Sequence, residues 1–218
     1  MNIWKEEEKI WGRGVKNVVC LDEAGRGPLA GPVVACAVYV EKKKKDDFIN
    51  ISKRIKDSKK LSSKQRESLY KEITSHPQIS WATSKSSEKI IDKINILEAT
   101  KEAMRKAIRN LEKKTGEKAE FLIIDGNFKI KSKLEQRPII KGDQKVFSVM
   151  AASIIAKVKR DKLMERFHLK YPRYDFVFHK GYPTKNHIFL LKKYGPCKIH
   201  RKTFRPVKEL IKKPLDCF

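Results

Sequence analysis

Apolar residues in this chain follow two patterns, short unbroken runs and positions that recur every three or four residues. Val18 to Leu21, Val33 to Val40 and Phe121 to Ile124 are runs rich in β-branched side chains, and each predicts a buried strand. Ile79 to Thr83 alternates apolar and polar, which predicts a short half-buried strand. Between these lie helical stripes. Leu69, Tyr70 and Ile73 form one, opened at Ser62 with Gln65 three residues on as a capping-box partner and closed by Pro77. Leu97, Thr100, Met104, Ile108 and Leu111 form a second, opened by Asn95 with Glu98 and stopped by Gly116. Val146, Met150, Ile154 and Val158 form a third, and a last helix runs from Thr184 to Tyr194 before Gly195-Pro196. The charged run Lys42 to Lys45 reads as a solvated loop. Strands and helices interleave without an internal repeat, which predicts an α/β layer fold.

The polar residues at the ends of these elements carry the chemistry. The first run closes on Asp22-Glu23, followed at once by Ala24-Gly25-Arg26-Gly27-Pro28-Leu29-Ala30-Gly31-Pro32. The Phe121 run also closes on an acid, Asp125, followed by Gly126. In α/β folds ligands gather at strand ends, so two such acids can meet at one sheet edge. Asp143 stands just ahead of the third helical stripe, although helix-dipole stabilisation alone would also favour an acid there. Crowded carboxylates resist ionisation unless a cation neutralises them, and hard divalent ions with oxygen ligands are the usual partners. Glycines beside the first pair let the backbone approach a ligand and offer N–H groups to it.

Charge indicates what such a site would act on. The 218 residues include 51 Lys and Arg against 26 Asp and Glu, a formal net charge of +25. An excess of this size favours a polyanionic partner, nucleic acid above all. A membrane surface is disfavoured. The segment MNIWKEEEKIWGRG is charged from Lys5 onward and has no apolar core, and Cys217 stands too late in Leu215-Asp216-Cys217-Phe218 for prenylation. Cys20, Cys36, Cys197 and Cys217 show no metal-binding spacing, which suits a reduced, cytoplasmic protein. With 40% hydrophobic residues the chain can bury one sizeable core. The expected organisation is a main domain over 1–170 and a basic, aromatic segment over 171–218 that contains Tyr171, Tyr174, Phe176, Phe178 and Tyr182.

The string DEAGRGPLAGPVVACAV closely resembles the signature of ribonuclease HII. Further blocks follow in the family's order: DSKKLS from Asp57, NILEATKEAM from Asn95, IIDGN from Ile123, KGDQKVFSVMAASIIAKVKRD from Lys141 and HKGYPTKNH from His179. The resemblance implies a ribonuclease H-like fold, a five-stranded mixed sheet flanked by helices, with a small C-terminal helical segment. It implies that Asp22, Glu23, Asp125 and Asp143 are the catalytic acids and hold two divalent cations, Mn²⁺ or Mg²⁺. Asp22 is expected to bridge the ions, with Glu23 and Asp125 on one side and Asp143 on the other. The implied activity is endonucleolytic: cutting the RNA strand of an RNA/DNA hybrid, or a ribonucleotide embedded in duplex DNA, to leave a 5′-phosphate and a 3′-hydroxyl. The backbone of Gly25, Arg26 and Gly27 would read the 2′-hydroxyl. Tyr182 would stack on a sugar at the junction, and Lys59 and Lys60 would contact phosphate. A monomer is expected. One rival is a basic nucleic-acid-binding protein without catalysis, which leaves the strand-end acids unexplained. Another is a related two-metal nuclease, a type HIII enzyme or a resolvase. The Gly25-Arg26-Gly27 triplet speaks against type HIII.

Overall fold

A computed structural model describes residues 2–41, 48–55 and 61–212. In chain order the elements are α1 (Lys5–Trp11), β1 (Val18–Ala24), β2 (Val33–Val40), α2 (Ile49–Ile55), α3 (Ser63–Ser75), β3 (Ile79–Ser86), α4 (Glu88–Thr115), β4 (Phe121–Asp125), β5 (Glu135–Ile139), α5 (Phe147–Lys170), α6 (Phe176–His179), α7 (Lys185–Tyr194) and α8 (Val207–Lys212). The strands form one sheet of order β3-β2-β1-β4-β5. β1 pairs antiparallel with β2 and parallel with β4, and β4 pairs parallel with β5, so the sheet is mixed.

Both faces of the central strands are covered, which is why their sequences read as unbroken apolar runs. Side chains alternate across the sheet. Cys20, Cys36, Val38 and Ile123 pack on one face with Phe147, Met150, Ile154 and Ile155 of α5 and with Trp4 and Trp11 at the ends of α1. Val19, Leu21, Ala35, Leu122 and Ile124 pack on the other with Ala103, Met104, Ala107 and Leu111 of α4. Edge strand β3 is blunted: Lys114 Nζ and Asn110 Nδ2 donate to the outward carbonyls of Trp81 and Thr83.

Local signals hold where they rest on caps and runs. Ser62 and Gln65 form the reciprocal capping box at α3, and Gly116 ends α4 at φ 78°. Three expectations need correction. β1 continues through Asp22 and Glu23, so the acids are part of the strand rather than its sequel. β3 runs on to Ser86. The second helix starts at Glu88 under a Ser87 cap, and Asn95 lies inside it at φ 66°, ψ 168°. There Asn95 Oδ1 accepts from the amides of Leu97 and Glu98, so it caps a second helical stretch across a kink. The run Lys42 to Lys45 lies outside the described residues.

The charged N-terminal segment folds as α1 and closes the start of α5. Val146, the residue before α5, provides no side-chain cap. Instead Phe147 N–H donates to the Ile3 carbonyl at 2.9 Å. Glu7 Oε1 accepts from Ser148 N at 3.1 Å and from Ser148 Oγ at 2.6 Å. These partners satisfy amides that a helix start leaves open. Glu7 is 1% exposed and its Oε2 has no partner, so burial pushes its pKa from 4.5 up to about 7. A pKa raised by folding favours the folded state most below pH 4.5, and that contribution is lost as pH rises through 7. Glu7→Gln should therefore gain on the parent by about 3 kcal/mol between pH 5 and pH 8.5. Urea unfolding of both proteins at both pH values measures it, and a gap that does not move with pH would contradict it.

Candidate active site

The parallel pairing of β1 with β4 brings the first acids together. Leu21 pairs with Ile124, so Asp22 and Asp125 are the next residues on neighbouring strands. By alternation Asp22 shares the face of Cys20, and Asp125 that of Ile123, the face covered by α5. Asp143 lies in a 3-10 turn, Gly142–Gln144, that leads into α5. Gly142 N–H donates to Asp125 Oδ1 at 2.7 Å, which ties the end of β4 to that turn. A Cβ on Gly142 would lie 3.2 Å from the same oxygen, so the close approach suits glycine.

Electrostatics show that the acids share one environment. Burial holds the Asp22 carboxyl well above the usual carboxylate range, and the charges of Glu23, Asp125 and Asp143 push it the same way. Its Oδ1 accepts the Glu23 amide at 2.6 Å, which only partly offsets this. Glu23 is pushed up to about 7 by burial, lowered by Arg26 at 3.4 Å, and raised again by Asp125 and Asp143. Glu23 Oε2 is buried with no hydrogen-bond partner. Among the described residues no three acidic, histidine or cysteine side chains already stand arranged as a coordination shell. The donor set nevertheless fits a hard divalent cation. Carboxylates of β1, β4 and the Gly142–Gln144 turn act on one another, and one oxygen of Glu23 is buried with no hydrogen-bond partner although Arg26 faces the other.

Beside the acids, two buried arginines hold the loop from Gly25 to Pro32. Arg160 of α5 donates from Nε to Pro32 O and from Nη2 to Ala30 O, each at 3.2 Å. Arg201 donates to Gly31 O at 3.0 Å, Arg26 O at 2.8 Å and Gly25 O at 2.6 Å. Both side chains are fully buried. The C=O and the following N–H of one peptide plane point in opposite directions. With the carbonyls of Gly25 and Arg26 turned in to Arg201, the N–H groups of Arg26 and Gly27 turn outward at exposed positions. Gly25 itself has φ +98°, and a Cβ there would overlap the Arg160 side chain and lie 2.9 Å from Pro32 O.

Tyr182 lies in the turn between α6 and α7 and is 39% exposed. A Cβ on Gly27 would be 3.9 Å from its ring, and Lys157 and Arg160 stand 5.7 and 5.6 Å from the ring centre. The structure thus groups Asp22, Glu23, Asp125 and Asp143, and sets Gly25, Arg26, Gly27 and Tyr182 beside one another. Lys59 and Lys60 lie outside the described residues. Sequence reasoning missed Arg160 and Arg201. In a chain with 51 basic residues no single arginine announces that it is buried.

A mixed five-stranded sheet with acids on the ends of adjacent parallel strands defines a ribonuclease H-like enzyme. The family model for Ribonuclease HII matches residues 19–207. Ribonuclease HII of Chlamydia trachomatis serovar A is 47% identical over 205 residues, covering 94% of this chain and 89% of that protein. Ribonuclease HII of Caldicellulosiruptor bescii is 45% identical over 204 residues, 93% of each. The crystal structure of ribonuclease H2 from Pyrococcus horikoshii OT3 superposes with a TM-score of 0.72 at 27% identity, covering 90% of this chain and 97% of that one. The chain belongs to the ribonuclease HII family.

Proposed function

We propose that the protein is an endonuclease that hydrolyses the RNA strand of RNA/DNA hybrids and cuts at ribonucleotides embedded in duplex DNA, using carboxylate-held divalent cations. Membership of the family supports the ribonuclease H activity. The observation that supports the site is the mutual electrostatic influence of Asp22 and Glu23 on β1, Asp125 on the adjacent β4 and Asp143 on the turn before α5, with one buried Glu23 oxygen left without a hydrogen-bond partner. The four carboxylates would hold Mn²⁺ or Mg²⁺. Bound there, such ions supply activation of a water and stabilisation of the departing 3′ oxygen.

The chain's own groups select and place the substrate. Outward N–H groups of Arg26 and Gly27 are directed to meet a 2′-hydroxyl, the group that separates RNA from DNA. Because the guanidiniums of Arg201 and Arg160 fix the loop, the donors need little reorganisation on binding. Tyr182, beside Gly27, offers a ring face to the sugar at the junction. The surplus of basic residues grips phosphates without reading sequence. In this account 1–170 forms the catalytic domain and 171–218 completes the substrate face. The protein works as a monomer in the cytoplasm, in replication and repair of DNA. No helix among the described residues is long and apolar enough to cross a membrane, and Cys20, Cys36 and Cys197 are free thiols.

Calorimetric titration of cation-free protein with Mn²⁺ and with Mg²⁺ tests the site without reference to turnover. Glu23→Gln should weaken binding at least ~10-fold, the scale of losing a group that supports a metal site. Equal affinity in parent and variant would remove Glu23 from the cation site.

A further inference from the structure

Below Tyr182 lies a buried set of histidines that the proposed chemistry does not use. His179, His187 and His200 are all buried, and the rings of His179 and His187 stack at 4.2 Å. His187 Nε2 and His200 Nε2 stand 3.1 Å apart, so between them they share one proton. The two ends of this pair are fixed by backbone groups whose roles cannot be exchanged. Cys197 N–H lies 2.9 Å from His200 Nδ1 and can only donate, so Nδ1 accepts. A neutral His200 then carries its proton on Nε2 and donates to His187. His187 Nε2 is therefore bare, and its proton sits on Nδ1, which donates at 2.9 Å to the Tyr182 carbonyl. The tautomers required at both ends agree.

The chain of bonds thus runs in one direction, from Cys197 through His200 and His187 to Tyr182. Phe176 packs edge-on against His187 at 5.6 Å and holds the ring plane. His179 adds a second tie, since its Nδ1 accepts the Gly181 amide at 3.1 Å and its Nε2 meets the Tyr174 carbonyl at 2.6 Å. Next to His200, Arg201 holds the Gly25 and Arg26 carbonyls. Adjacent residues, His200 and Arg201, are therefore tied to the tyrosine segment and to the glycine loop.

We propose that His187 and His200, locked in opposite neutral tautomers, are positioning residues that fix Tyr182 beside Gly27 and so set the efficiency of cutting at a single ribonucleotide. The proposal rests on the reading of Tyr182 as the residue that stacks at the junction. Its roles are distinguishable from plain packing, because packing needs the rings and not the order of protons.

Long-range ¹⁵N–¹H correlation spectra of the wild-type protein test the proton order with no substitution. His187 should be protonated on Nδ1 and His200 on Nε2, and the same tautomer in both would overturn the proposal. Single-turnover cleavage of a duplex with one ribonucleotide, with affinity measured in parallel, tests the function. His200→Phe keeps the ring and loses the donor, and should slow cleavage about 10-fold with affinity within about 2-fold. His200→Gln retains a donor toward His187 and should recover most of that loss. Combined with Tyr182→Ala, His200→Phe should add nothing further, as expected for residues acting through one another. A fully additive loss, or unchanged cleavage in His200→Phe while Tyr182→Ala is slow, would overturn the positioning role. If Tyr182→Ala itself cuts at the wild-type rate, the reading of Tyr182 has failed instead, whatever the tautomers.

Discussion

Asp125→Asn should lose at least ~10²-fold in cleavage rate, the scale of removing a group that stabilises the transition state, and should still melt higher than its parent when both are free of cation. The two effects have one cause. Asp125 raises the pKa of both Asp22 and Glu23, so its charge repels them in the folded protein. Asparagine keeps an oxygen to accept the Gly142 amide, the bond that joins β4 to the turn of Asp143. Geometry is preserved while one repelling charge is removed, a relief on the order of 1 kcal/mol, about one pKa unit of repulsion. Saturating Mn²⁺ should reverse the order of stability, because a cation that binds only the folded parent raises its melting point by mass action. Thermal melts with and without cation, run beside single-turnover assays, check both parts. A variant that is both slower and less stable without cation would mean Asp125 is a packing residue.

The second large effect is expected at Gly25. Gly25→Ala should destabilise the fold by roughly 3–5 kcal/mol and nearly abolish cutting in the fraction that remains folded. An alanine at φ +98° is strained whatever the space around it, and here the added methyl would overlap the buried Arg160 side chain. Arg160 cannot withdraw cheaply. It is 0% exposed, already has an unpartnered Nη1, and also bonds Ala30 and Pro32. If the loop yields instead, the Gly25 and Arg26 carbonyls leave Arg201 and the outward N–H groups lose their direction. Urea midpoints and cleavage by the folded fraction measure the two losses. Alanine tolerated within 1 kcal/mol, on the order of an ordinary surface substitution, would contradict this description of the loop.

How much of this was legible in the sequence depended on whether a residue's role is local. β1, β2 and β4 were visible because strands covered on both faces must be continuously apolar. The α3 cap was visible because Ser62 and Gln65 satisfy each other within four residues. The acids stood out because charge at the end of a core strand needs a reason. That they converge follows from the parallel pairing of β1 with β4 and from the Gly142 contact, which join residues a hundred or more positions apart or across a turn. β5 escaped notice because Glu135 to Ile139 is an edge strand, half exposed, with a charge at each alternate start and Pro138 within it. α1 escaped because three glutamates mask its burial, and Glu7 is buried only as a partner for Ser148. Arg160 and Arg201 bind backbone carbonyls far away in sequence, the histidines bind backbone groups only a few residues away, and in both cases backbone partners leave no trace in side-chain patterns.

On the proposed function, the acids cut a duplex at a ribonucleotide through the cations they hold. The most direct measurement is a cleavage map of duplex DNA bearing one ribonucleotide, made with Mn²⁺ or Mg²⁺ and again with excess chelator, with duplex affinity measured in both states. A single cut at the ribonucleotide is expected, with 5′-phosphate and 3′-hydroxyl ends, and cutting should be lost in chelator while binding persists. Undiminished cutting in chelator, or cutting of all-DNA duplex at the same rate, would contradict it.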